Sequence, residues 1–143
     1  MTRIDFYTEA PDKLDVACRI VHKAYRTGRP LVIFSSDEAV LSRIDKLLWM
    51  SPAIGFLPHC YVNDPIAGET PVVLARAGDT PAYDDVLLNL DDAWPPSFAR
   101  FQRLAEIVSL DEADKVKARA RYRFYKDRGY EVTTHRVQEA AHG

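Results

Sequence analysis

The sequence predicts an α/β domain with a mostly parallel sheet and helices on both of its faces. Short apolar runs alternate along the chain with longer segments whose apolar residues recur every three or four positions. Two runs, 31–34 and 72–75, contain no polar residue, which is typical of parallel strands covered on both faces. Because strands that alternate with helices form open parallel sheets, we expect a Rossmann-like three-layer arrangement in one domain over residues 1–137.

The first half of the chain predicts a strand, two capped helices and a second strand. Residues 3–7 alternate and include a β-branched residue and two aromatics, as is typical of a strand. Asp12 can cap a helix that runs to about Thr27, and Gly28 follows where a C-cap glycine belongs. After the strand at 31–34, the polar run 35–37 can cap a second helix. The predicted buried face of that helix consists of Val40, Leu41, Ile44, Leu47 and Leu48.

The second half predicts a long loop, more strands and one long helix. Residues 51–70 are rich in proline and glycine, which predicts mostly loop. Three further strands and a short helix are expected at 86–90, 104–110, 130–137 and 97–101. The long helix runs from about Asp111 to Arg128 and stops at Gly129. We expect residues 138–143 to fray.

Composition and charge exclude several classes of protein. Apolar residues make up 47% and charged residues 28% of the 143 residues, which is normal for a globular protein. The net charge of −2 does not favour a protein that grips the DNA backbone over its whole surface, because such proteins are usually basic. No apolar run reaches the roughly 18 residues of a membrane span. Cys18 and Cys60 make no disulfide framework, and we expect a cytoplasmic protein.

Signals for catalysis or cofactor binding are weak. The six glycines are too far apart for a dinucleotide fingerprint or a phosphate loop. Cys18 and His22 could share a metal with His59 and Cys60, but they lack the paired spacing of zinc ligands. The pair at 91–92 could bind a metal or act as a base, although a solvated turn explains it better. We expect no catalytic residue, metal or cofactor.

The helix at 111–128 has an unusual charge layout. Acidic residues fill its first turn and seven basic residues fill the rest, which suits the helix dipole. Lys115, Arg119, Tyr122 and Arg123 fall on one side of the helix. Cations around one aromatic suit an extended acidic ligand that ends in an apolar residue. The same stripe could stack a nucleotide base, or it could be a solvated basic face.

Two motifs in the chain resemble one known family. The run 118–125, followed by Gly129-Tyr130, resembles the C-terminal signature helix of the chi subunits of bacterial DNA polymerase III. The run 47–49, then Pro52, then 56–59, resembles the other signature of that family, and the opening run 4–7 also suits. The order and spacing of these motifs agree across nearly the whole chain.

The resemblance implies a non-catalytic adaptor of the clamp-loader complex. Chi subunits bind the acidic, Phe-terminated C-terminal tail of single-strand DNA-binding protein, and they pair with the psi subunit. DNA would be reached only indirectly, and any polymerase label would come from the complex. The positions that match the family's tail-binding residues are Val108, Lys115, Arg119, Tyr122 and Arg123. Arg123 replaces a lysine that is common in the family, which keeps the charge but changes the geometry.

The predicted psi-binding surface lies around the end of the second helix. Trp49 follows the predicted core face of that helix, and Phe56 lies in a loop stiffened by Pro52 and Pro58. Clustered exposed aromatics often anchor partners, and a stiff loop loses little entropy on binding. Two other functions remain open on the residues alone. One is a small nucleotide- or metal-dependent α/β enzyme, and the other is a direct single-strand DNA binder.

Overall fold

A computed structural model of the protein describes residues 1–50 and 57–137. It contains three α-helices, which are α1 (Lys13–Arg26), α2 (Glu38–Met50) and α3 (Glu112–Asp127). Seven strands are described, namely β1 (Arg3–Ala10), β2 (Leu31–Phe34), β3 (His59–Tyr61), β4 (Val72–Ala75), β5 (Val86–Asn89), β6 (Arg103–Ser109) and β7 (Glu131–Arg136). Single 3-10 turns occur at Ala67–Glu69 and Phe98–Arg100. Among the described helices, none is both long and apolar enough for a membrane span.

All seven strands belong to one parallel sheet. Their order across the sheet is β3-β4-β2-β5-β6-β1-β7. Each neighbouring pair in that order is parallel. The predicted α/β fold with a mostly parallel sheet is therefore confirmed.

The helix ends follow the capping residues in the sequence. The Asp12 side chain accepts a hydrogen bond from the Asp15 N–H at 3.2 Å, and Asp111 accepts one from the Asp114 N–H at 3.2 Å. Gly129, after α3, has a φ of +84°, a left-handed conformation that costs glycine little. Glycine therefore ends α3 where the sequence predicts, and it turns the chain into β7.

Two cores of different chemistry cover the two faces of the sheet. The aliphatic face lies under α1 and α2, and its described buried residues are alanine, valine, leucine and isoleucine. The mixed face lies under α3 and contains Phe6, Phe98, Phe101 and Tyr125 beside aliphatic residues. Helices thus cover both faces, and together with the sheet they make three layers.

Two features of the region around α2 differ from the sequence-based prediction. Residues 59–61, assigned to a long loop, form the edge strand β3 beside β4. The strand was missed because it has three residues and lies between prolines. Leu47, predicted to be buried, is 37% exposed, whereas Leu41, Ile44 and Leu48 are buried. Residues 138–143, predicted to fray, lie outside the described residues.

Candidate protein-interaction site

An open groove of about 270 Å³ lies between α3 and the neighbouring strands β1 and β7. Side chains from four elements line it, which are Phe6, Thr8, Glu9, Val108, Lys115, Ala118, Arg119, Tyr122 and Thr134. Four of the five residues predicted for the tail site are in this set. Arg123 does not line the groove.

The base of the groove is apolar. Val108 on β6 and Ala118 on α3 are buried there. Tyr122 is 38% exposed, and its ring packs edge-on against Phe6 with 5.5 Å between ring centroids. An apolar side chain could therefore be buried between the strands and α3, in contact with two aromatic rings.

Two cations of α3 stand at the rim. The Lys115 Nζ atom lies 3.6 Å from Glu112 Oε1, and both side chains reach solvent. No described carboxylate forms an ion pair with Arg119, on the next turn toward the C-terminus. A guanidinium that has no carboxylate partner and lies beside an apolar groove can bind a ligand carboxylate by donating two parallel hydrogen bonds. The groove thus combines an apolar base with a positively charged rim.

Sequence reasoning missed the residues on the opposite wall of the groove. Phe6, Thr8 and Glu9 come from β1, and Thr134 comes from β7, so both ends of the chain contribute. Glu9 has a φ of +60° beside an irregularity in the β1–β6 pairing. Its carboxylate accepts from Arg136 Nη2 at 2.8 Å. Because Arg136 partly neutralises this carboxylate, the wall repels an acidic ligand less than an unpaired glutamate would.

A buried polar network lies beneath α3. Glu106 on β6 is fully buried and accepts from Arg121 Nε at 3.0 Å and from Tyr125 Oη at 2.5 Å. Asn89 Nδ2 donates to the same carboxylate at 3.1 Å. Arg121, one of the basic residues of the helix, is therefore buried with the core and is not part of the solvated face. A glutamate inside the apolar run 104–108 was the sequence signal for this network.

Burial and hydrogen bonding act in opposite directions on Glu106. Burial raises the pKa of this carboxyl, while the Arg121 charge and the hydrogen bonds from Tyr125 and Asn89 lower it in part. Burial and the neighbouring Glu106 carboxylate also raise the pKa of Tyr125, which keeps its hydroxyl protonated as a donor. Arg121, Tyr125 and Asn89 thus all donate hydrogen bonds to the one Glu106 carboxylate.

A second polar contact fixes the start of α3. Asp114 accepts from the Ser109 N–H at 2.8 Å and from Lys13 Nζ at 3.1 Å. Burial by itself would raise the pKa of Asp114, but the hydrogen bond from Ser109 and the Lys13 charge outweigh it and lower that pKa. This contact joins α1 and α3 at the carboxyl ends of the strands, beside the groove.

The end of α2 carries a separate exposed apolar patch. Leu47, Trp49 and Met50 are exposed, Trp49 by 55% and Met50 by 73%. The Trp49 and His59 rings lie 4.3 Å apart between centroids. Pro58 is half-buried beside β3, whereas Pro52 and Phe56 lie outside the described residues.

The candidate metal ligands do not converge in the part of the chain that the structure describes. In residues 1–50 and 57–137, no three histidine, cysteine, aspartate or glutamate side chains could together hold an ion. His22 is buried and Cys18 half-buried in the side of α1 that packs on the sheet. Asp91 accepts from Ser36 Oγ at 2.8 Å, and Asp92 pairs with Lys117 at 3.0 Å. Surface contacts of this kind suit the solvated turn expected for residues 91–92.

Comparison with known proteins gives one consistent result. The family model described as DNA polymerase III chi subunit, HolC, matches residues 1–133. A DNA polymerase III subunit chi of Pseudomonas aeruginosa is 35% identical over 141 residues, which cover 96% of this chain and 98% of the relative. The DNA polymerase III subunit chi of Escherichia coli is 28% identical over 83% of this chain and 82% of its own length. That of Haemophilus influenzae is 27% identical over 86% of each chain. This chain therefore belongs to the chi-subunit family of DNA polymerase III and acts as an accessory subunit in DNA replication.

Proposed function

We propose that the groove beside α3 binds the acidic C-terminal tail of single-strand DNA-binding protein, with the terminal Phe of the tail inside. The observation that carries the proposal is the convergence of Val108, Lys115, Arg119 and Tyr122 on one groove. An apolar cavity of about 150 Å³ is large enough for benzene, so a groove of about 270 Å³ has room for a phenyl ring. The protein would then act as a non-catalytic adaptor.

The charged residues at the rim account for binding of the terminal carboxylate and of the upstream aspartates of the tail. Arg119 grips the terminal carboxylate, because it lines the groove and has no described carboxylate partner. Lys115, one turn toward the start of α3, faces the upstream aspartates. Arg123 does not line the groove, so it acts at longer range on the acidic part of the tail. Because these charges reach solvent, affinity falls as salt rises.

A peptide titration tests the tail site. A fluorescent acidic peptide that ends in Asp-Asp-Asp-Ile-Pro-Phe should bind, and the same peptide without its Phe should not. Arg119→Ala should weaken binding about ten-fold or more, since a charge-assisted hydrogen bond contributes about 1.5–3 kcal/mol. Tyr122→Ala should also weaken binding, because it removes one aromatic wall. Arg43→Ala, which removes an exposed cation from α2, is the matched control and should bind normally.

Unchanged affinity in both groove variants, with circular dichroism showing normal folding, would reject this site. Equal affinity of the peptides with and without Phe would reject the apolar pocket. Binding of single-stranded DNA by the unaltered protein, weakened in both groove variants, would instead favour the nucleic-acid alternative.

The exposed patch at the end of α2 supports pairing with the psi subunit. Leu47, Trp49 and Met50 are exposed apolar side chains at one helix end, and tryptophan is enriched in protein-binding hot spots. We assign Trp49, Pro52, Phe56 and Pro58 to this surface. Trp49→Ala combined with Phe56→Ala should abolish psi capture in a pull-down and leave tail binding unchanged. Full psi capture by a stably folded double variant would remove the assignment.

A further inference from the structure

Two side chains of α3 reach the same buried carboxylate from positions one helical turn apart. Arg121 Nε binds Glu106 Oε1 at 3.0 Å, and Tyr125 Oη binds Glu106 Oε2 at 2.5 Å. Because the two contacts use both oxygens of one carboxylate, they restrain the rotation of α3 about its axis and its sliding along the sheet. An apolar contact is non-directional and restrains neither motion as tightly.

The same network is tied to two further elements. Arg121 Nη1 donates to the carbonyl oxygen of Asp92 at 2.7 Å. Asn89 Nδ2 donates to Glu106 and, at 3.1 Å, to the carbonyl oxygen of Ala93. The network therefore joins β5, the segment after it, β6 and α3.

Stability does not explain why this network is ionic. Replacing a buried ion pair with apolar side chains of similar volume is often neutral or stabilising, since burial of two charges is costly. The surrounding mixed face is apolar and aromatic, so such side chains would find partners there. What an apolar replacement cannot supply is a fixed orientation of the helix.

The groove depends on that orientation. Its cations and Tyr122 project from α3, while Phe6, Thr8 and Glu9 project from β1. At the outer radius of a helix, about 5–6 Å, a rotation of about 10° moves a side chain by about 1 Å. A shift of that size changes the Phe6–Tyr122 packing and the reach of Arg119, whose charge-assisted hydrogen bonds need about 2.7–2.9 Å.

We propose that the buried network of Glu106, Arg121 and Tyr125 positions α3, so that Lys115, Arg119 and Tyr122 meet the β1 wall at the spacing the ligand requires. The three are positioning residues and do not line the groove. The proposal rests on the proposed tail-binding function for its ligand, and it deepens that function by naming what sets the geometry of the site.

The test removes the whole network without leaving a buried charge. The triple variant Glu106→Leu, Arg121→Met and Tyr125→Phe keeps volume and retains the Asn89 bond to Ala93. Its urea midpoint should equal or exceed that of the unaltered protein. Its affinity for the acidic Phe-terminated peptide should nevertheless fall about ten-fold. Backbone hydrogen exchange in α3, measured relative to α1, should accelerate about ten-fold.

Leu41→Ala, in the core between α2 and the sheet, controls for general destabilisation. It should lower the urea midpoint while peptide affinity stays unchanged, so affinity does not simply follow stability. In the triple variant, unchanged affinity or unchanged α3 exchange would overturn the positioning role. If the unaltered protein binds no peptide, the tail site fails. In that case, acceleration confined to α3 would still support the positioning role, and its absence would overturn it.

Discussion

The two faces of the sheet are stabilised in different ways. The described core of the aliphatic face, under α1 and α2, consists of alanine, valine, leucine and isoleucine. The mixed face, under α3, buries four aromatic rings and a carboxylate network around Glu106. Aliphatic cores tolerate exchange of similar side chains, whereas a buried polar network fails when one partner is missing.

The difference follows from how the helices cover the sheet. Two helices pack over the aliphatic face, but α3 is the one α-helix described over the mixed face. The strands β1 and β7 therefore lie beside α3 at a groove, with Phe6 and Thr134 among its lining residues. Directional hydrogen bonds are most useful where a single helix, here α3, must be held in one fixed position on the sheet. Helix α3 thus contributes both to the core of the mixed face and to the lining of the groove.

Arg121→Ala should have the largest effect on stability. It leaves the buried Glu106 carboxylate without its charged partner, so we expect a loss of about 3–5 kcal/mol. Urea denaturation followed by circular dichroism measures this loss. A loss below about 1 kcal/mol would mean that Arg121 and Glu106 are not energetically coupled. The two faces would then not differ in the way that we propose.

Asp114→Asn should have an intermediate effect that depends on pH. Because the pKa of Asp114 is lowered in the folded protein, its stabilisation is present at neutral pH and is lost as pH falls through the folded-state pKa. The variant should therefore be less stable at pH 7, by about 1–2 kcal/mol, and the difference should shrink in acid. Thermal unfolding from pH 7 to pH 2 tests this. Asp84→Asn, at an exposed carboxylate, is the control, and a constant difference would contradict the assignment.

Ile44→Val should have the smallest effect. Ile44 is fully buried on the aliphatic face, and the loss of one methylene costs about 0.5–1.5 kcal/mol. The same urea assay should show this small loss. Under the proposed function, affinity for the acidic Phe-terminated peptide should stay unchanged. A loss of stability as large as that of Arg121→Ala would show that the aliphatic face tolerates substitution no better than the mixed face.

The sequence predicted the elements well because each carries a local signal. The apolar runs, the capping aspartates and Gly129 act over a few residues, and the ends of the long helix agree with α3 within one residue. β3 escaped prediction because its three residues gain strand structure from pairing with β4. Leu47 continues an apolar pattern, but it lies at the end of α2 where no described core residue covers it fully.

The groove could be predicted from the sequence only for its α3 side chains and for Val108, on the strand just before α3. Helical spacing alone places Lys115, Arg119 and Tyr122 on one side of a helix. Phe6, Glu9 and Thr134 could not be added, because their proximity to α3 depends on the order of strands in the sheet. The buried position of Arg121 likewise depends on Glu106, which lies fifteen residues earlier in the chain.

The position of β1 in the sheet also has a consequence for folding. Both neighbours of β1, which are β6 and β7, come from residues 103–109 and 131–136, far along the chain. Pairing of β1 therefore closes long loops, and contacts this distant in sequence form late in folding. Because β1, β6 and β7 all contribute to the groove beside α3, we expect the groove to assemble late as well.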